Sequence, residues 1–282
     1  MSGKVYLVGA GPGDPELLTL KALRLLKSVD VVLHDELIGS EILKLIPSST
    51  LVRNVGKRGG RKNIRQQEID VLLVQYALLD LQVVRLKGGD PLIFGRAGEE
   101  VEALRRANIE FEIVPGISSM LGAAAAVQIP LTHRAFSSSL VVLTGHSSPV
   151  ENSTDLFNND CFNNDWPKQI SPGSTVVVYM PGYDYHATSR HLVTAGLAPA
   201  TPCAVISKAT SPDQQVHPTT LQDLHSAPRL PAPTLLVVGE VVRFARQPSP
   251  IREIASFEFA ENIPLEPFMR LQEVAQDSER SE

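Results

Sequence analysis

Glycine-rich turns punctuate the first half of the chain at one kind of place, the end of a short β-branched run. Val5–Ala10 leads into Gly9-Ala10-Gly11-Pro12-Gly13-Asp14-Pro15, and Thr50–Val55 into Gly56-Lys57-Arg58-Gly59-Gly60. Val83–Lys87 runs into Gly88-Gly89-Asp90-Pro91, and Ile109–Val114 into Pro115-Gly116. Such runs read as strands, with Val29–His34 as a further one. Between them Glu16–Lys27, Arg65–Leu79, Gly98–Ala107 and Ile117–Val127 carry Leu, Ala and Ile at helical spacing. This alternation predicts an α/β fold with a mainly parallel sheet. In such sheets ligands bind beyond the carboxyl ends of the strands. Four glycine turns at that edge would clear side chains from one crevice and let backbone groups approach a ligand. Tight turns alone are the plainer reading.

The second half repeats the strand signal in Leu140–Gly145, Thr175–Met180, Cys203–Ser207 and Thr234–Val242, with fewer and shorter helices, so a mixed sheet is expected there. At ~100–200 residues per domain, 282 residues make one large domain or two of about 120. We place an N-terminal α/β domain at 1–136 and a C-terminal one at 137–246. A polar, acidic tail follows at 247–282, holding Glu253, Glu258, Glu261, Glu266 and Glu273 among its acids. The Asn- and Ser-rich stretch Ser147–Pro172 reads as a surface loop.

A net charge of −5 argues against a nucleic-acid partner. Residues 53 to 65 reverse that sign locally, with Arg53, Lys57, Arg58, Arg61, Lys62 and Arg65 and no acid. A short cationic patch on an acidic protein suits a small polyanion; a solvated basic loop is the alternative. Cys161 and Cys203 are too few for a disulfide framework or a four-ligand zinc site, so a reducing, cytoplasmic setting is expected. His34, His146, His186, His191, His217 and His225 show no metal-ligand spacing, and no metal is expected. Lys4 and the turn at Gly9 leave no apolar leader, and uncharged Ile113–Thr132 is too rich in Pro, Gly and Ser to span a membrane.

The first glycine turn approaches the dinucleotide fingerprint G-x-G-x-x-G and departs from it. Gly13 falls one position early, and Pro12 removes a backbone donor from the phosphate cradle. Asp14-Pro15 reads instead as the N-cap and first position of a helix. A Walker loop fails because Gly56-Lys57 is followed by Arg58.

Taken together, VYLVGAGPGDPELLTLKA, VVLHDELI, VGKRGG, VVRLKGGDPLIFGRAGEE, IVPGIS with IPLTHR, LTGH, VVVYM and LLVVGEVV strongly resemble the tetrapyrrole methylases over roughly Val5 to Val242. HDELI, GKRGG and LTHR resemble the branch that acts on uroporphyrinogen III. The resemblance implies two α/β domains with the active site in the cleft between them. It implies a homodimer, with S-adenosyl-L-methionine as methyl donor and S-adenosyl-L-homocysteine as product. The reaction implied is C-methylation of uroporphyrinogen III at C2 and C7, giving precorrin-2 for sirohaem or cobalamin biosynthesis.

The family's cofactor positions match Pro12, Gly88, Gly89, Asp90, Ile93, Ser118, Ser119, Met180 and Ala209. Taken alone, Ile93 and Met180 are types that fill cores. Asp35 and Lys57 match the proton-handling residues; otherwise Asp35 is a loop cap and Lys57 a partner for substrate carboxylates. A substrate with eight carboxylates gives the basic segment a purpose, with Arg58, Arg61, Lys87, Arg96, His133 and Arg134 as substrate-binding candidates. Relatives usually carry Ile-Thr-Ala where Ile117-Ser118-Ser119 stand, and Pro181-Gly182 is an uncommon continuation after Met180. Two other readings stand beside this one: methylation of another corrin intermediate, and a nicotinamide-dependent oxidoreductase.

Overall fold

A computed structural model describes residues 3–56, 65–145, 166–182 and 184–246. The first sheet contains β1 (Lys4–Gly9), β2 (Val31–His34), β3 (Leu51–Asn54), β4 (Gln82–Lys87) and β5 (Glu110–Val114), in the order β3-β2-β4-β1-β5. Every pairing in it is parallel. Its helices are α1 (Leu20–Leu26), α2 (Ser40–Leu43), α3 (Gln66–Leu78) and α4 (Ala97–Arg106). Val8, Val32, Val84 and Leu86 pack on one face against α1 and α2. Val5, Leu7, Val31, Leu33 and Val83 pack on the other against α3 and α4. Burial on both faces is why β1, β2 and β4 are rich in apolar residues.

Next, α5 (Ser119–Ala126) leads into a second sheet: β6 (Ser139–Thr144), β7 (Ser174–Tyr179), β8 (Pro202–Ser207), β9 (Gln215–Thr220) and β10 (Thr234–Val238), in the order β6-β7-β10-β8-β9. Only β6 and β7 are parallel among its pairings, so the sheet is mixed. One face takes α6 (Tyr185–Thr194) through Leu192. The other takes α5 through Ala123, Ala124 and Val127, beside Val177, Ile206 and Val237. Helix α5 therefore leaves the first sheet and packs on the second. The described residues fall in one compact unit.

Three expectations need correction. The run Glu16–Lys27 is not one helix: Asp14 caps a short 3-10 turn, Pro15–Leu17, and Thr19 caps α1 separately. Thr234–Val242 is a strand only to Val238, because Gly239 turns the chain with φ +140° into a 3-10 helix, Glu240–Phe244. Helix α6 and strand β9 arise where no element is expected. The loop around 147–165 and the tail from 247 lie outside the described residues.

Candidate active site

The glycine turns after β1, β4 and β5 lock together. Gly89 N–H donates to the Gly11 carbonyl at 2.8 Å, and Gly11 N–H to the Gly89 carbonyl at 3.2 Å. A Cβ on Gly116 would stand 2.4 Å from the Gly89 carbonyl oxygen, and one on Gly9 2.6 Å from Gly116 N, so these turns meet only without side chains. Asp90 ties them further, accepting from Leu92 N–H at 2.8 Å and Gly116 N–H at 3.1 Å. The fourth turn joins differently: Gly56 presses on Glu36, the neighbour of Asp35.

Beside these turns lies a cavity of about 220 Å³. Its floor comes from the first sheet, with Ala10–Gly13, Asp35 and Lys87–Asp90. Its walls come from Ile38, Ile93 and Phe94 and, across the second sheet, from Tyr179, Met180, Ile206 and Leu235. All nine residues matched to cofactor positions line it: Pro12, Gly88, Gly89, Asp90, Ile93, Ser118, Ser119, Met180 and Ala209. Asp35 and Lys87 line it as well. Among the described residues, Arg96, His133 and Arg134 do not. Arg96 forms a two-bond pair with Glu99, at 2.7 Å each, and exposed Arg134 follows His133, which stacks near Phe136 and Phe244. Lys57, Arg58 and Arg61 lie outside the described residues.

Backbone conformation marks the same place. Eight described non-glycine residues have positive φ. Asp80, Asn108 and Gln128 do so just past the ends of α3, α4 and α5, a usual left-handed cap position. The other five surround the cavity: Phe94 and Met180 line it, Arg96 follows Gly95, and Lys208 and Thr210 flank Ala209. Left-handed side-chain residues gather where function over-determines the backbone.

Sequence reasoning missed Tyr179, Arg85 and Glu100. The Tyr179 hydroxyl bonds the Ser118 hydroxyl and accepts from Met120 N–H at 3.0 Å, tying β7 to the first turn of α5. Burial raises its pKa, the bonds with Ser118 and Met120 only partly offsetting this. Behind Asp35, Arg85 donates to Asp35 and, at 2.9 Å, to Glu100. Lys87 Nζ donates to both Glu100 oxygens, each at 2.9 Å, so this candidate for substrate contact already holds an internal partner. Burial, then the nearby Arg85, lowers the Lys87 pKa against the pull of Glu100. Burial also opposes the charge on Arg85, but Asp35 and Glu100 outweigh it and raise its pKa. The two-residue spacing of Arg85 and Lys87, interleaved with Val84 and Leu86 in β4, was the available signal.

Comparison with known proteins identifies the family. The chain is 45% identical over 243 residues to the S-adenosyl-L-methionine-dependent uroporphyrinogen III methyltransferase of Methanosarcina barkeri, covering 85% of this chain and 92% of that one. It is 42% identical over 267 residues to the siroheme synthase of Nitrosospira multiformis, covering 94% of this chain but 53% of the relative, so it spans about half the length of such proteins. Among solved structures, the uroporphyrin-III C-methyltransferase of Thermus thermophilus complexed with S-adenyl homocysteine superimposes with a TM-score of 0.71 at 37% identity, covering 86% of this chain and 99% of that one. Residues 4–225 match the family described as Tetrapyrrole (Corrin/Porphyrin) Methylases. On these matches the chain belongs to the tetrapyrrole methylase family.

Proposed function

We propose that this chain is an S-adenosyl-L-methionine-dependent C-methyltransferase that converts uroporphyrinogen III to precorrin-2 by methylation at C2 and C7. The observation that carries the reading is the shared cavity: glycine turns from the first sheet, an apolar wall from the second, and Asp35 at one side. The residues present fit the donor. A Cβ on Gly88 would meet nothing within 4 Å, so its missing side chain leaves room for a ligand against the backbone. The Ser119 hydroxyl has no partner among the described residues and is available to a polar ligand group. Ile93, Met180, Ile206 and Leu235 offer apolar surface to an adenine ring, and Ala209 is small enough to admit it. When bound, the sulfonium supplies an electrophilic methyl group.

Asp35 acts on the acceptor. As the attacking pyrrole carbon gains a bond, the ring becomes cationic, and a carboxylate beside it stabilises that charge or removes a proton. Lys57 is the group proposed to return a proton. For the substrate's carboxylates we propose Arg58 and Arg61, with Arg96, His133 and Arg134 farther out. What supports a role for the basic stretch is where it begins and ends. Gly56 lies against Glu36, and Gln66, just beyond Arg65, donates to Glu100 at 3.3 Å. Both ends therefore flank the charged group behind Asp35.

The division into domains at 1–136 and 137–246 is supported by one sheet falling in each stretch. We propose a cytoplasmic homodimer on the strength of the resemblance. Among the described residues no helix is long and apolar enough to cross a membrane. The test is anaerobic incubation with uroporphyrinogen III and methyl-labelled S-adenosylmethionine, followed by mass analysis. Two labels per macrocycle are expected. Label confined to a later corrin intermediate would replace this substrate assignment, and no label in any tetrapyrrole would overturn the reading.

A further inference from the structure

Four charged side chains, Asp35, Arg85, Glu100 and Lys87, form a linked and largely buried group beside the cavity. Asp35 follows β2 with its side chain 32% exposed, whereas those of Arg85, Lys87 and Glu100 are at most 3% exposed. Arg85 is held on several sides. Its Nε donates to Glu100 at 2.9 Å, its Nη1 to the carbonyls of Leu86 at 3.2 Å and Leu33 at 3.4 Å, and its Nη2 to Asp35 Oδ1. Glu100 in turn accepts from Lys87 at both oxygens and from Gln66. The second oxygen of Asp35 has no partner among the described residues, and Asp35 lines the cavity.

Buried ion pairs stabilise folds poorly, because desolvation offsets much of their attraction. A guanidinium fixed by a buried carboxylate and two carbonyls cannot follow a mobile partner; the partner must follow it. We infer that Arg85, locked by Glu100, is a positioning residue that pins Asp35 by Oδ1 and leaves Oδ2 to meet the macrocycle. This rests on the proposed role of Asp35 in methyl transfer. Arg85 touches neither donor nor acceptor; it acts through the carboxylate.

A double-mutant cycle tests this, using Arg85→Lys, Asp35→Asn and the pair together. For each we would measure kcat and KM for both substrates, S-adenosylhomocysteine affinity by calorimetry, and Tm. Arg85→Lys keeps the charge but loses the planar fork. It should lower kcat about ten- to a hundredfold, as misplacement of a catalytic group does, while S-adenosylhomocysteine affinity stays within about twofold. In the Asp35→Asn background the same change should lower kcat less than about twofold, because its route of action is gone. Equal fold-losses in both backgrounds, or unchanged kcat in Arg85→Lys, would overturn the inference. Full activity in Asp35→Asn alone would instead overturn the role of Asp35, and is seen in the single variant. Should Arg85→Lys not fold, Glu100→Gln, which unlocks Arg85 without changing its shape, runs through the same cycle with the same expectations.

Discussion

Gly88 and Gly89 are adjacent yet do opposite work. Gly89 has φ +67°, and a Cβ there would lie 2.9 Å from the Ser119 hydroxyl oxygen. A left-handed conformation costs an L side chain about 1–2 kcal/mol before that clash is counted. Gly89→Val should therefore distort the Gly11–Gly89 pair and abolish S-adenosylhomocysteine binding in calorimetry. Gly88 faces open space at an ordinary φ, so Gly88→Ala should fold with Tm within about 2 °C of the parent, as surface-type changes do. Its effect should appear in ligand affinity alone, as a fall of about tenfold or more if the methyl intrudes on bound cofactor. If Gly88→Ala binds as the parent does, the ligand does not use that space. The pair separates a glycine needed by the fold from one needed by a ligand.

At the scale of elements, β7 and α5 meet through one hydroxyl. Tyr179→Phe removes it and leaves Met120 N–H and the Ser118 hydroxyl short of a partner. That loss is worth about 1–3 kcal/mol, or roughly 2–12 °C in Tm for a unit of this size. Because the first turn of α5 also lines the cavity, S-adenosylhomocysteine affinity should fall in step. The sign of the pH dependence follows from burial, which raises the Tyr179 pKa. Its stabilisation is present below the ordinary tyrosine value and is lost as pH rises through and beyond it. The Tm gap between parent and Tyr179→Phe should thus narrow on the alkaline side; a gap that widens there refutes the assignment.

Which elements were legible in advance follows the same physics. The central strands β1, β2 and β4 of the first sheet are readable because strands buried on both faces cannot hide their apolar content. Its glycine turns are readable because only glycine fits where Gly9, Gly89 and Gly116 touch. Strand β9 is not readable: it is an edge strand, half exposed, and carries Pro218, which an edge tolerates. Helix α6 carries Thr, Ser and two His on a short polar sequence, and its capping Asp184 is a weak signal by itself. Glu100 looks like one more acid on a charged helix. Only its contacts with Arg85 and Lys87 from β4 show that it is buried.

For the whole molecule the important fact is that one cavity is lined from both sheets. Asp35 and Gly88–Asp90 come from the first, and Tyr179, Met180, Ile206 and Leu235 from the second. A ligand that binds there stabilises the pair of sheets together, since it has no such site once either unfolds. At a hundred times its Kd, S-adenosylhomocysteine should add about 2.7 kcal/mol and raise Tm by roughly 5–10 °C in a single transition. NADH at the same concentration should leave Tm unmoved, because Pro12 lacks the N–H a pyrophosphate cradle uses and its ring occupies the space beside Gly122, where a Cβ would stand 2.5 Å away. Scanning calorimetry with each ligand decides the matter. A shift with NADH and none with S-adenosylhomocysteine would return the glycine turns to a nicotinamide reading. Two separated transitions, only one of them moved by the ligand, would mean that the second sheet contributes walls to the cavity but no binding energy.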